Sequence, residues 1–159
     1  MFKNKIFYFN KNNIKFFHDK ISNKKIVFTN GCFDILHKGH VDYLYNTKKL
    51  ADILVVGLNS DQSVKIIKGN SRPINDIKSR SFVLASLISV DYVFIFNDAT
   101  PLKLIRSLKP DILVKGDDYD KDEIIGSDFV KKNNGIVKTI KFTKGYSTTK
   151  IINRILSLK

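Results

Sequence analysis

Two histidines stand three residues apart in "TNGCFDILHKGH", residues 29–40, directly after the apolar run "KIVF". In the first turn of a helix, residues three apart share one face, so His37 and His40 would address a single ligand. Backbone N–H groups at a helix start have no intrahelical acceptor and carry partial positive charge, which makes such a turn a cradle for phosphate. Two imidazoles placed there add hydrogen-bond donors for phosphate oxygens and for charge that builds up at phosphorus during transfer. Gly39 leaves out a side chain that would block approach. A zinc site is the rival reading, but it needs a third ligand that is not found nearby. Histidines packed for structural reasons are the other.

A second helix start lies in "GYSTTKII", residues 145–152, where Ser147, Thr148 and Thr149 can cap the helix or bind phosphate and Gly145 permits a tight approach. Together the two segments suggest two helix N-termini converging on one polyphosphate. "KGDDY", residues 115–119, adds Gly116 for close backbone approach and two carboxylates. Asp117 and Asp118 can hold Mg²⁺ through water, bond a ribose or base, or simply form a turn. "KIIKGNSRPI", residues 65–74, offers Lys68 and Arg72 in a loop suited to gripping an anion, with a solvated basic loop as the plain alternative. Cys32 is the one cysteine of the chain; it has no identifiable partner base and reads as a small turn residue, not a nucleophile.

Chemistry placed on helix starts needs strands to carry it there. "KKIVFTN", "DILVVGL", "DYVFIF", "DILVKG" and "GIVKTIKF" read as five strands. Between and after them, helical spacing or capping signals mark "HKGHVDYLYNTKKLA", "SDQSVKII" opened by Ser60, "KSRSFVLASLIS", "TPLKLIRSL", "SDFVKKN" and "STTKIINRILSLK". Thr100 followed by Pro101 predicts an N-cap and first helical residue. Strands alternating with helices specify a parallel sheet covered on both faces, so the expected fold is doubly wound α/β, with ligands beyond the carboxyl ends of the strands where strand order reverses.

The length of 159 residues suits one domain. Residues 1–24 form a lysine-rich extension in which "NNIKFFHDKI" can make a short helix laid on the domain, and residues 25–159 carry the regular alternation. The net charge of +13 invites a nucleic-acid reading, but the lysines are scattered without arginine clusters, which favours a compositional bias; no nucleic-acid or membrane partner is expected. One cysteine, no span of roughly 20 apolar residues and no signal peptide at the amino terminus point to the cytoplasm.

"GCFDILHKGH" resembles the GxFDxxHxGH signature of the cytidylyltransferase-like nucleotidyltransferases, whose fold is Rossmann-like, and "GYSTTKII" resembles their second signature. Within that superfamily, "NSDQSVKIIKGNSRPIN", "SVDYVFIFNDATP" and "PDILVKGDDY" look most like the D-glycero-β-D-manno-heptose 1-phosphate adenylyltransferases. The resemblance covers residues 25 to about 155. It implies Mg²⁺-dependent transfer of AMP from ATP to the sugar 1-phosphate, releasing pyrophosphate and giving ADP-heptose for lipopolysaccharide core. It also implies catalytic roles for His37 and His40, nucleotide contacts from Cys32, Phe33, Gly39, Gly116, Asp118, Tyr146, Ser147 and Thr148, and substrate contacts from Lys68, Arg72 and Arg80. No residue is assigned as a resident metal ligand. Many such domains are fused behind a sugar kinase, so a separate heptose kinase is expected upstream, and a homodimer is possible. Glycerol-3-phosphate cytidylyltransferases share "GDDY" and "STTKI" and are the alternative; they carry an arginine near position 142, where this chain has Phe142.

Overall fold

The computed structural model describes residues 2–117 and 123–158. Six parallel strands, β1 (Ile6–Tyr8), β2 (Ile26–Gly31), β3 (Ile53–Asn59), β4 (Tyr92–Phe96), β5 (Ile112–Gly116) and β6 (Ile136–Ile140), form one sheet in the order β1-β4-β3-β2-β5-β6. From β2 the chain steps outward through β3 to β4, then returns to place β5 on the other side of β2. The order therefore reverses between β2 and β5, and a crevice opens beyond their carboxyl ends, as doubly wound sheets require.

Among the described residues, seven α-helices flank the sheet: α1 (Lys11–Lys20), α2 (Lys38–Lys48), α3 (Asp61–Lys68), α4 (Ile77–Ser86), α5 (Leu102–Leu108), α6 (Ser127–Lys132) and α7 (Thr148–Leu156). Alternate strand residues enter opposite cores. Phe28, Val55, Phe94 and Leu113 pack with Phe17 of α1, Leu104 and Ile105 of α5 and Val130 of α6. Val27, Leu54, Val56, Val93 and Val114 pack with Leu44 of α2 and Leu84 of α4. All seven residues of β3 are buried, which is why its first six, "ILVVGL", read as one run without a charged or polar side chain.

Two expectations change. The five-strand reading misses β1, which lies within residues 1–24 and pairs with β4 through Ile6, Phe7 and Tyr8. The expected helix in that segment is present as α1, and its Phe17 is fully buried against Tyr92 and Phe94. At α5, Thr100 is not the cap. Pro101 itself occupies that position with φ −78° and ψ 5°, and its carbonyl receives the first helical bond from Ile105, so the helix begins one residue later. Ser60 and Ser147 cap α3 and α7 as the sequence leads one to expect, accepting from the amides of Ser63 and Lys150.

Candidate active site

A cleft of about 470 Å³ lies beyond the ends of β2 and β5. Its walls include Cys32 and Phe33 from the turn after β2, His40 from α2, Lys68 and Arg72 from the segment after β3, Gly116 at the end of β5, and Thr148 at the start of α7. Residues separated by more than a hundred positions thus meet at the reversal of strand order. Four of them, His40, Lys68, Arg72 and Thr148, have polar or charged side chains suited to an anionic ligand.

His37 is the N-cap residue of α2, in extended conformation with φ −142° and ψ 170°, and its side chain makes no capping bond. Its ring is consequently free to lie parallel to that of His40, with centroids 3.8 Å apart and planes 18° from parallel. Phe33 meets the His40 ring edge-on at 5.3 Å. Nδ1 of both histidines is buried and lacks a hydrogen-bond partner among the described residues. Buried polar nitrogens are normally satisfied, so two orphaned ones on stacked rings are a prepared contact for something polar. The first intrahelical bonds of α2 come from the amides of His40 and Val41 to the His37 carbonyl, leaving the Lys38 and Gly39 amides at the helix mouth.

Burial lowers the pKa of His37, and it lowers that of His40 further, to about 4, with the neighbouring charges of His37 and Lys68 adding to the effect. Both rings are therefore neutral at pH 7, each offering one N–H donor. Since the unfolded chain binds these protons near pH 6.5 and the folded one only near 4 at His40, the folded state has its full His40 contribution above 6.5 and loses it as pH falls toward 4. Denaturant unfolding at pH 7.5 and pH 5 should show a larger loss of stability in the natural protein than in His40→Gln. Equal losses would mean that the ring is not depressed.

Gly39 serves a different contact from the one its sequence position suggests. A Cβ there would stand 3.1 Å from Nδ1 of His37 and 3.1 Å from Cβ of Tyr146, so the missing side chain makes room for the protein's own second signature. Tyr146 lies with its ring 6.4 Å from that of His37, and Thr143 donates to Asp42 on α2. These contacts hold the start of α7 beside the start of α2, the convergence read from the sequence. Gly145 is needed for its φ of +92°, not for close approach, since a Cβ there would meet nothing. Ser147 is occupied as the α7 cap, leaving Thr148 as the hydroxyl on the cleft wall.

Arg80 is the clearest correction. Its side chain is fully buried on α4, and its guanidinium donates to the Cys32 and Asn75 carbonyls and to Asp61, at 2.6, 3.0 and 2.7 Å. It is spent inside the protein and does not line the cleft, so it makes no substrate contact from there. Asp117 accepts from the Phe142 amide at 3.2 Å and is a turn carboxylate; Asp118 lies outside the described residues. Burial raises the Cys32 thiol pKa, consistent with its reading as inert.

Sequence reasoning passed over Asp34, Lys115 and Asn30. Asp34 is buried in the signature "GCFD", pairs with Arg72 at 2.8 Å and accepts from the amides of Ile74 and Asn75. The aspartate in that signature was the available signal. Lys115, on the cleft wall, donates to the Asn30 carbonyl. Phe142 lies on the cleft wall, its ring 5.3 Å from that of Tyr43.

Residues 28–154 match the Cytidylyltransferase-like family pattern. The chain belongs to that family. It is 61% identical over 132 residues to the bifunctional protein HldE of Helicobacter pylori strain Shi470, and 58% identical over 134 residues to HldE of Campylobacter fetus subsp. fetus. These alignments cover 83% and 84% of this chain but only 28% of each relative, so the chain spans little more than a quarter of their length. Among solved structures, the lipopolysaccharide core biosynthesis protein of Thermoplasma volcanium GSS1 is 34% identical, with a TM-score of 0.63 over 79% of this chain and all of that one. A pantoate-β-alanine ligase from Francisella tularensis superposes with a TM-score of 0.57 at 19% identity and shares the fold alone. Among the described residues no helix is long and apolar enough to cross a membrane.

Proposed function

We propose that this protein transfers AMP from ATP to D-glycero-β-D-manno-heptose 1-phosphate, releasing pyrophosphate and forming ADP-heptose. The observation that carries the reading is the stacked His37–His40 pair, with its orphaned nitrogens, in which His40 lines a cleft that also holds Lys68, Arg72 and Thr148 and His37 lies against it. The choice of acceptor draws support from the signature resemblance, from the identity to HldE proteins near 60%, and from the similarity to a lipopolysaccharide core biosynthesis protein.

In this reading the triphosphate lies across the starts of α2 and α7. A phosphate oxygen of the sugar attacks the α-phosphorus in line, the bond to the bridging oxygen breaks, and pyrophosphate leaves with that electron pair. No covalent enzyme intermediate forms. The protein contributes position and charge stabilisation: neutral imidazole N–H groups and the first-turn amides of α2 meet charge developing on the transferred group, and Lys68 and Arg72 hold phosphate. Each such donor contributes roughly 3 to 4 kcal/mol to the transition state.

Among the described residues no three His, Cys, Asp or Glu side chains gather to hold a metal, and the charged wall is mainly cationic. In this reading Mg²⁺ enters as part of the MgATP substrate, carried by the phosphates. The acceptor's anomeric phosphate has to be installed in an earlier phosphoryl-transfer step, which we assign to a sugar kinase. The overall positive charge favours anionic substrates reaching the cleft, and we place the reaction in the cytoplasm.

Pyrophosphate release measured with ATP or CTP, each paired with the heptose 1-phosphate or glycerol 3-phosphate, tests the substrate assignment. Release with ATP and the heptose phosphate is expected to exceed every other pair by at least tenfold. Preference for CTP with glycerol phosphate would overturn the assignment in favour of the cytidylyltransferase branch.

A further inference from the structure

We infer that Arg80 is a positioning residue that joins the Arg72 loop to the histidine turn, so that both present their cations and donors to the substrate as one rigid unit; this rests on the nucleotidyl-transfer reading above.

A fully buried arginine is an expensive choice, because an apolar side chain of similar volume would pack without desolvating a charge. Here each of its bonds goes to a different segment of the chain, and the first of them, at Cys32, lines the cleft. Nη1 donates to the Cys32 carbonyl in the turn that leads to the histidines, and Nε to the Asn75 carbonyl in the loop after α3. Nη2 donates to Asp61 at the start of α3, whose other oxygen accepts from the Ile77 amide at the start of α4. The planar fork of a guanidinium can serve three acceptors in fixed directions, and a lysine ammonium cannot reproduce that geometry.

Asp34 closes the same connection from the other side. It sits two residues beyond Cys32, accepts from the Ile74 and Asn75 amides and pairs with Arg72, while Asn75 donates its side-chain amide to the Asp34 carbonyl. Asn75 is therefore gripped twice: Asp34 holds its N–H and Arg80 its C=O. Two residues before that grip come Pro73 and Arg72, and Arg72 lines the cleft. Loss of Arg80 would leave Arg72 attached to the turn only through Asp34, with the loop free to shift by the ångström that separates productive from unproductive placement of a reacting phosphate.

The first test is a double-mutant cycle on kcat/KM for the sugar phosphate with Arg80→Gln and Arg72→Ala. Arg80→Gln alone is expected to lower it by about a hundredfold, chiefly through KM for the acceptor. Added to Arg72→Ala, it should lower it by no more than roughly threefold further, because the residue it positions is already gone. Arg80→Lys should not restore activity. Effects that multiply independently, or full activity in Arg80→Gln, would overturn the inference. Asp61 is one-third exposed, so its charge is not stranded by the substitution; if Arg80→Gln nonetheless does not fold, Asp61→Asn enters the same cycle with the same expectation at a smaller amplitude.

Amide hydrogen exchange supplies a readout independent of turnover. In Arg80→Gln the amides of Ile74, Asn75 and Ile77 should exchange at least tenfold faster while those of β3 are unchanged. Uniform acceleration across β3 and the loop would assign Arg80 to general stability and refute the positioning role. Absence of turnover in the natural protein would count against the proposed reaction, and the exchange pattern would still decide the inference.

Discussion

His37→Ala lowers kcat by a hundredfold or more and leaves the fold intact. The ring is the N-cap residue of α2 but does not cap it, so the helix loses no hydrogen bond when the ring is removed. The ring's visible contacts are the stack on His40 and the looser approach of Tyr146. What disappears is one preorganised donor facing developing charge, and loss of such a donor costs about 10²–10³ in kcat. Steady-state kinetics with MgATP and the heptose phosphate, beside a thermal melt of the variant, separates the two effects. A variant with near-normal turnover would remove the histidine pair from the chemistry.

The second large effect is on stability. Asp34→Ala removes a carboxylate whose side chain is 1% exposed and which accepts from two backbone amides while pairing with an Arg72 side chain only 15% exposed. Deleting one partner of a buried ion pair strands the other and costs about 3–5 kcal/mol. For a chain of this length that corresponds to a fall in Tm on the order of 10 °C. Because the same bonds hold the loop bearing Arg72, acceptor KM should rise as well, measurable at a temperature where the variant remains folded. A melt within a degree or two of the natural protein would show that the ion pair and its amide donors contribute little.

These two residues illustrate what the sequence makes legible. The sheet was readable because parallel strands covered on both faces need uninterrupted apolar runs, and β3 is buried at every position. The histidine turn was readable because its spacing and its place after a strand are both local. β1 was not. Its three residues sit at an edge, paired with β4 alone, and are too few to display a period among surrounding lysines and aromatics. The roles of Asp34 and Arg80 depend on loops about 40 to 50 positions away folding back onto one turn, which local pattern does not encode. The substrate contact expected of Arg80 came from the family resemblance, and the sequence does not tell whether its guanidinium faces the ligand or the interior; burial decides between them. Gly39 has the same ambiguity, resolved by what its absent side chain would strike.

The central claim is direct transfer of AMP to a sugar phosphate in the cleft over the stacked histidines. The measurement that addresses it most directly follows ATP labelled at the α-phosphorus through a reaction with Mg²⁺ and D-glycero-β-D-manno-heptose 1-phosphate. The label is expected in ADP-heptose, one equivalent for each pyrophosphate released, with none attached to the protein and with formation depressed a hundredfold or more in His37→Ala. Label recovered as free AMP, label bound to the protein as an intermediate, or full transfer in the variant would contradict it.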